Sequence, residues 1–257
     1  MIIIPMAGMS SRFTSAGYER PKYELELRGT YVFDYAISRF SSRFDVDDFA
    51  FVVRSGLNAA DFVRARARAL GIKSFRIAEV ATPTRGQAES VAIGIRAVGG
   101  DVSDPLCIFN IDTFVVSNYL EYSNIFTSSA GVLEVVRDVG SNWSFVEPTF
   151  DGQTRVCRTA EKIPISDLCC TGLYWFRNQT HFLEALELEY RSPQSQELYV
   201  APLYNHLIAR GDRVDYILID RSSLVLCGTP SEFEALQQED DAKISNLRRM
   251  QLALAGG

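Results

Sequence analysis

The stretch Pro5-Met6-Ala7-Gly8-Met9-Ser10-Ser11-Arg12-Phe13, followed by Gly17-Tyr18 and then Pro21-Lys22, combines two features that suit a phosphate group. Small residues at Ala7, Gly8, Ser10 and Ser11 let backbone N–H groups reach phosphate oxygens without a side chain in the way. Arg12 and Lys22 return toward the same mouth and offset the charge those oxygens carry. The turn follows the apolar run Met1-Ile2-Ile3-Ile4-Pro5, which reads as a buried strand, so the pieces form a phosphate cradle at the first strand of the chain. Other chemistries have less to work with. The sequence holds 2 histidines, His181 and His206, both inside helical patterns, too few for a histidine zinc site or a catalytic triad. Its 5 cysteines (Cys107, Cys157, Cys169, Cys170 and Cys227) never take zinc-pair spacing and read as buried thiols of a reducing compartment. A metal here would be a hard cation held by carboxylates.

Such a cradle needs strands that end at one edge and helices that cover them. At 257 residues, 47% hydrophobic and 23% charged, the chain has an ordinary globular composition and is long enough for one large domain. The runs Met1 to Pro5, Phe49 to Val53, Ser74 to Val80 and Leu106 to Asn110 predict buried strands. Helices are expected between them, one capped by Asn58 and running through Leu70, another from Gly86 to Val98 and stopped by Gly99-Gly100. This rhythm implies right-handed crossovers and a largely parallel α/β sheet covered on both faces, with ligands at the carboxyl ends of its strands. Ala130 to Arg137, Ser144 to Glu147, Thr154 to Glu161 and Cys169 to Phe176 are closely spaced strand candidates, predicting antiparallel additions to the same sheet. Helices follow at Thr180 to Tyr190 and Tyr199 to Ala209, strands at Val214 to Ile219 and Leu224 to Cys227, then a helical tail from Pro230 with Ile244, Leu247, Met250 and Leu254 at apolar positions. Arg64, Arg66 and Arg68 point in different directions around their helix and read as solvated surface. A net charge of −6 disfavours a nucleic-acid partner. With no run long enough to span a membrane and no signal-peptide pattern, a cytoplasmic protein is expected.

The opening strand followed by Ala-Gly-x-x-Ser-Arg-Phe and then Pro-Lys resembles the signature of the sugar-phosphate nucleotidyltransferases, also called nucleoside-diphosphate-sugar pyrophosphorylases. The resemblance runs from Ile2 to about Leu236 through markers in the expected order. Arg85-Gly86-Gln87-Ala88 resembles the second nucleotide-binding segment, and Phe109-Asn110-Ile111-Asp112 the metal-binding Asp at the end of a central strand. Ala160-Glu161-Lys162 resembles the segment near the acceptor phosphate, Thr171-Gly172-Leu173-Tyr174 the strand beside the acceptor, and Gly228-Thr229-Pro230-Ser231-Glu232 the element before a closing helix.

The resemblance implies a single Rossmann-like, GT-A-like α/β domain over residues 1–236, with a mostly parallel sheet, antiparallel additions and flanking helices; the apolar spacing beyond it predicts a helical tail over 237–257 packed on the same domain. It also implies a reaction in which a sugar-1-phosphate or related phosphomonoester attacks the α-phosphorus of a nucleoside triphosphate and pyrophosphate leaves. Arg12 and Lys22 would be catalytic. Ala7, Gly8, Met9, Ser10, Ser11, Gly86, Gln87 and Ser90 would bind the nucleotide. Asn110, Glu147, Lys162, Thr171, Gly172, Glu197 and Tyr199 would line the acceptor pocket, and Asp112 would hold Mg²⁺. The chain departs from the family in two places. Ser10 stands where a second glycine is usual, and no carboxylate precedes the Gly-Thr-Pro element, where Leu224-Val225-Leu226-Cys227 stands instead. Asp220 could supply that ligand if the strand were offset; otherwise Asp112, phosphates and water would hold the metal, or activity would be reduced. The expected role is capsule or other surface-polysaccharide synthesis. The alternatives are a GT-A-type glycosyltransferase, although its Asp-x-Asp is absent, and an inactive nucleotide-sugar-binding regulator. The tail would cover the core or join a second copy in a homodimer.

Overall fold

The computed structural model describes residues 1–56, 58–116, 123–150, 152–238 and 244–245. In chain order the elements are β1 (Ile2–Pro5), α1 (Ser11–Ser15), β2 (Glu26–Leu27), β3 (Thr30–Tyr31), α2 (Val32–Ser38), β4 (Asp48–Arg54), α3 (Ala59–Ala69), β5 (Ser74–Val80) and α4 (Gln87–Val98). They continue with β6 (Leu106–Phe109), β7 (Thr113–Val115), α5 (Ser123–Ser128), β8 (Gly131–Arg137), β9 (Ser144–Pro148), β10 (Val156–Glu161), β11 (Leu168–Phe176), α6 (Gln179–Arg191), α7 (Leu203–Ala209), β12 (Val214–Leu218), β13 (Leu224–Leu226) and α8 (Pro230–Gln238).

Among the described residues a nine-stranded sheet runs β10-β9-β11-β6-β1-β4-β5, with β8 against β11 and β12 against β8. β6, β1, β4 and β5 are parallel, as the strand–helix alternation predicts. β11 then runs antiparallel to β6, β8 and β9, as expected for the second half. Two strands depart from that pattern. β12 joins β8 in parallel, and β13 leaves the main sheet to pair antiparallel with β7. Strand alternation sends Ile2, Ile4, Phe49, Phe51 and Val53 into one core, with α2, α3 and α8, and sends Ile3, Ala50 and Val52 into another, with α4, α6 and α7. Both faces are therefore apolar, which is why these strands read as continuous hydrophobic runs.

Behind β11 the side chains of Arg39 and Glu134, neither exposed to solvent, form a two-pronged ion pair. Thr171 Oγ1 donates to Glu134 Oε1 at 2.6 Å, and the Arg39 guanidinium lies 5.3 Å from the Phe109 ring centroid. The pair sits beside the bulge between Cys170 and Tyr174 where β11 slips against β8.

Several local expectations change. Asn58 occupies the N-cap position of α3 in a left-handed conformation (φ 52°) and its side chain makes no cap bond, because asparagine tolerates that backbone region. The helix expected from Tyr199 begins at Leu203, since Pro202 disfavours helix before it and Leu198 instead pairs its backbone with Arg85 and Ala88. Arg66 is not simply solvated: it forks onto the buried Asp34 at 2.6 and 3.0 Å and stacks on Tyr31. Cys157 is exposed while the other cysteines are buried, because its side chain falls on the outer face of β10. Helices α1, α2 and α5 and the ribbons β2/β3 and β7/β13 are too short to show a periodicity in sequence. Ile244 is buried at 1% exposure against the α8 side of the core, whereas the predicted tail positions Leu247, Met250 and Leu254 lie outside the described residues. Among the described residues no helix is long and apolar enough to cross a membrane.

Candidate active site

A cleft of about 800 Å³ opens where β1 and β6 end at their carboxyl edge. On the β1 side, Ala7, Gly8, Met9, Ser10 and Arg12 line it. Met6 N–H still bonds Val52 at 2.9 Å, but among the described residues nothing accepts from the amides of Gly8, Met9 and Ser10. Ser10 takes φ 48°, the left-handed conformation that glycine adopts at no cost, and its carbonyl accepts from Phe13 at 2.9 Å to start α1. Ser10 thus holds a backbone conformation open to glycine but uncommon for a residue with a side chain.

Lys22 reaches the same cleft from a 3₁₀ turn after Pro21, and its Nζ lies 2.5 Å from Asp112 Oδ2. Asp112 follows β6. Burial pushes its carboxyl up, but the charge and hydrogen bond of Lys22, with a smaller contribution from Arg12, hold it below the usual carboxylate range. The Gly-Thr-Pro element packs against it: Cys227 N–H donates to the Asp112 carbonyl at 2.9 Å, and a Cβ on Gly228 would lie 3.2 Å from Asp112 Oδ2. Thr229 and Glu232 form a reciprocal capping box, with Glu232 Oε2 accepting from Gly228 and Thr229 N–H at 2.8 and 2.9 Å and Glu232 N–H donating to Thr229 Oγ1 at 3.2 Å. Leu226 lines the cleft and pairs with Thr113 across β13/β7.

Gly86, Gln87 and Ser90 line the opposite wall with Thr84. Gly86 is set by close approach: at φ 154°, a Cβ there would lie 2.5 Å from the backbone N and 2.6 Å from the backbone O of Leu198. That contact lets Ala88 N–H reach Leu198 O at 2.8 Å and Leu198 N–H reach Arg85 O at 3.0 Å, so two backbone hydrogen bonds join residues 85–88 to 197–199. Gln87 Nε2 donates to Asn110 Oδ1. Asn110 in turn lies on Gly172, whose φ of 98° and lack of a Cβ make room for the amide 2.5 Å from where that atom would be.

At the far end the lining includes Trp143, Ser144, Glu161, Tyr174, Glu197 and Tyr199. Ser144 donates to Glu161, Tyr174 Oη lies 3.5 Å from Ser144 Oγ, and the Lys162 ammonium bonds Tyr199 Oη and sits 4.7 Å from its ring centroid. Burial raises the Glu161 carboxyl above its ordinary value, more than Ser144 and Lys162 lower it, and Glu197 adds to the rise.

The structure therefore gathers Ala7, Gly8, Met9, Ser10, Arg12, Lys22, Gly86, Gln87, Ser90, Asn110, Asp112, Thr171, Glu197 and Tyr199 into one cleft. Lys162 and Gly172 back it through Tyr199 and Asn110. It does not bring in three others. Ser11 is exposed and opens α1 outside the lining. Glu147 pairs with Arg158 at 2.9 Å on the outer strands. Asp220 accepts from Ser222 N–H at 2.7 Å as the cap of a 3₁₀ turn, so β13 is not offset to present it. Trp143 and Ser144 carry no local signal of a site role, and Tyr174, Glu161 and Glu232 stand in the family markers without an assigned role; Thr-x-x-Glu reads as a capping box, but nothing in the chain order places Trp143 near Glu161. Among the described residues no three His, Cys, Asp or Glu side chains form a metal cage. Magnesium takes one or two protein carboxylates and completes its shell with phosphate and water, so Asp112, open to the cleft, fits as a sole protein ligand.

No protein-family model and no curated protein matches the chain. Solved structures do. The nucleoside-diphosphate-sugar pyrophosphorylase from Vibrio cholerae RC9 is 46% identical over 93% of this chain and 100% of its own, with a TM-score of 0.88. The inositol-1-phosphate CTP transferase from T. maritima (14% identity, 97% and 95% coverage, TM-score 0.72) and a UDP-glucose pyrophosphorylase complexed with UDP-glucose (13%, 92% and 96%, TM-score 0.71) share the fold. Its order of motifs, its fold and its similarity to the Vibrio cholerae structure agree: the chain belongs to the nucleoside-diphosphate-sugar pyrophosphorylases, nucleotidyltransferases of the sugar-phosphate family.

Proposed function

We propose that this cleft joins a nucleoside triphosphate to a phosphomonoester. A non-bridging oxygen of the acceptor phosphate forms a bond to the α-phosphorus as the bond to the β-phosphate bridging oxygen breaks, and pyrophosphate leaves with that electron pair. The acceptor oxygen is already ionised, so no general base is required, and catalysis rests on positioning and charge. The observation that carries the reading is the convergence of the open amides of Gly8 to Ser10, Arg12, Lys22 and Asp112 at one strand edge.

In this reading the amides and the Arg12 fork hold the departing pyrophosphate, and Lys22 faces the charge that builds on the α-phosphate. Gln87, held by Asn110, presents its amide to the base. Lys162 orients the acceptor phosphate from its place against Tyr199. Mg²⁺, held by Asp112 with substrate oxygens and water, would neutralise phosphate charge. The product would serve surface-polysaccharide assembly in the cytoplasm.

Incubation with Mg²⁺, each common nucleoside triphosphate and a panel of sugar-1-phosphates and phospho-alcohols should release pyrophosphate for at least one pair. Absence of pyrophosphate from every pair, with retained binding of a nucleotide sugar, would favour the inactive regulator, for which the cleft-facing Leu226 is the supporting feature.

A further inference from the structure

The acceptor end of the cleft has a charge and a surface that the transfer reaction alone does not explain. Glu161 and Glu197 both line it, close enough for the charge of Glu197 to raise the Glu161 carboxyl, and the cation beside them is Lys162. If Lys162 turns to an acceptor phosphate, as proposed above, the two carboxylates lose the charge that now faces them. Glu161 is half-buried, and a half-buried carboxylate without a counter-charge is costly; the exposed Glu197 beside it and an incoming phosphate dianion make the balance worse. The same end is walled by aromatic rings. Trp143 is held by its carbonyl, which accepts from Lys162 N–H at 2.8 Å. Tyr174 is tied to the Ser144–Glu161 pair, and Tyr199 already carries an ammonium 4.7 Å from its ring centroid. Aromatic faces next to carboxylates are a surface for a cation.

We infer that the acceptor is a phosphomonoester bearing a cationic ammonium group, seated among Trp143, Tyr174, Tyr199, Glu161 and Glu197. The inference rests on the nucleotidyl-transfer reading of the same site. Its ammonium replaces Lys162 as the counter-charge of the two carboxylates, while Lys162 takes the phosphate. A neutral sugar phosphate can donate hydroxyls to Glu161 but leaves the charge at this end uncompensated. The ammonium can come from an amino alcohol or from an unacetylated amino sugar, and both give the same pairing.

Pyrophosphate release should be compared, with the full chain, Mg²⁺ and each nucleoside triphosphate, among phosphoethanolamine, phosphocholine and glucosamine-1-phosphate on one side and 2-hydroxyethyl phosphate and glucose-1-phosphate on the other. The expected result is a kcat/KM about tenfold or more higher for a cationic acceptor than for its neutral counterpart, the scale of a desolvated cation–π contact. Whether phosphoethanolamine or glucosamine-1-phosphate leads tells which source the ammonium has. Glu161→Gln should shrink that ratio several-fold while leaving the KM for the nucleotide in place, and Trp143→Leu, with its fold checked by thermal unfolding, should do so independently. Neutral acceptors used as well as or better than cationic ones would overturn the inference and leave the transferase reading standing. No pyrophosphate from any acceptor would overturn both.

Discussion

Replacing Gly86 by alanine tests whether the nucleotide wall works as the structure implies. The new Cβ would stand 2.5 Å from Leu198 N and 2.6 Å from Leu198 O, atoms of a backbone that cannot rotate away. Restoring ordinary contact of roughly 3.5 Å requires the 85–88 and 197–199 segments to part by about 1 Å. That stretches the two hydrogen bonds between them, now 2.8 and 3.0 Å, worth about 1 kcal/mol each. A φ of 154° adds strain of about 1–3 kcal/mol for a residue with a side chain. The total, about 3–5 kcal/mol, lowers Tm by roughly 6–20 °C at this chain length. Misplacement by 1 Å of groups that hold substrate costs about 10²-fold in rate. Gly86→Ala should therefore lose about 10² in kcat/KM for pyrophosphate release, with raised KM for both nucleotide and acceptor, because Gln87 and Tyr199 sit on the two segments that separate. Thermal unfolding and steady-state kinetics on the same preparation check it. A variant with unchanged Tm and kinetics would refute the argument that this close contact sets the geometry of the cleft.

Lys22→Ala and Asp112→Asn should each lower kcat by about 10²–10³ with circular dichroism unchanged; near-normal turnover would remove them from the mechanism. Glu134→Gln leaves the Arg39 guanidinium buried beside a neutral amide and should cost about 3–5 kcal/mol in urea unfolding, where a loss under 1 kcal/mol would show the pair to be dispensable. Burial raises the fully buried Asp215 carboxyl, but Arg213, Ser129 and Thr154 lower it further, so its folded pKa lies below the unfolded value. Its contribution is therefore present above about pH 4 and is lost as pH falls through the folded pKa, so Asp215→Asn should flatten the acid limb of stability against pH. In the native protein a disulfide-exchange thiol reagent should modify Cys157 and spare Cys107, Cys169, Cys170 and Cys227, with all 5 reacting after unfolding; fast native reaction of Cys170 would contradict its burial.

The order of strands and the opening cradle were legible because they are local. Ile2-Ile3-Ile4 and Phe49 to Val53 are apolar on both faces, which only a strand buried between two helical layers requires, and Gly8, Arg12 and Lys22 lie close enough in sequence for their meeting to be read. The family's marker order then located Gly86, Asn110 and Asp112. What escaped was pairing across long separations. Glu147 and Glu161 are both carboxylates on adjacent antiparallel strands, and register alone sends one to Arg158 outside and the other to Ser144 in the cleft. Asp220 precedes β13, but pairing of Leu226 with Thr113 leaves it at a 3₁₀ cap away from Asp112. The sequence by itself determined which segments are strands and where phosphate chemistry could begin, because hydrophobic period and turn composition are properties of neighbouring residues. Tertiary structure decided which carboxylates face the ligand, because a one-residue change in register reverses the side of a strand and no local pattern records it.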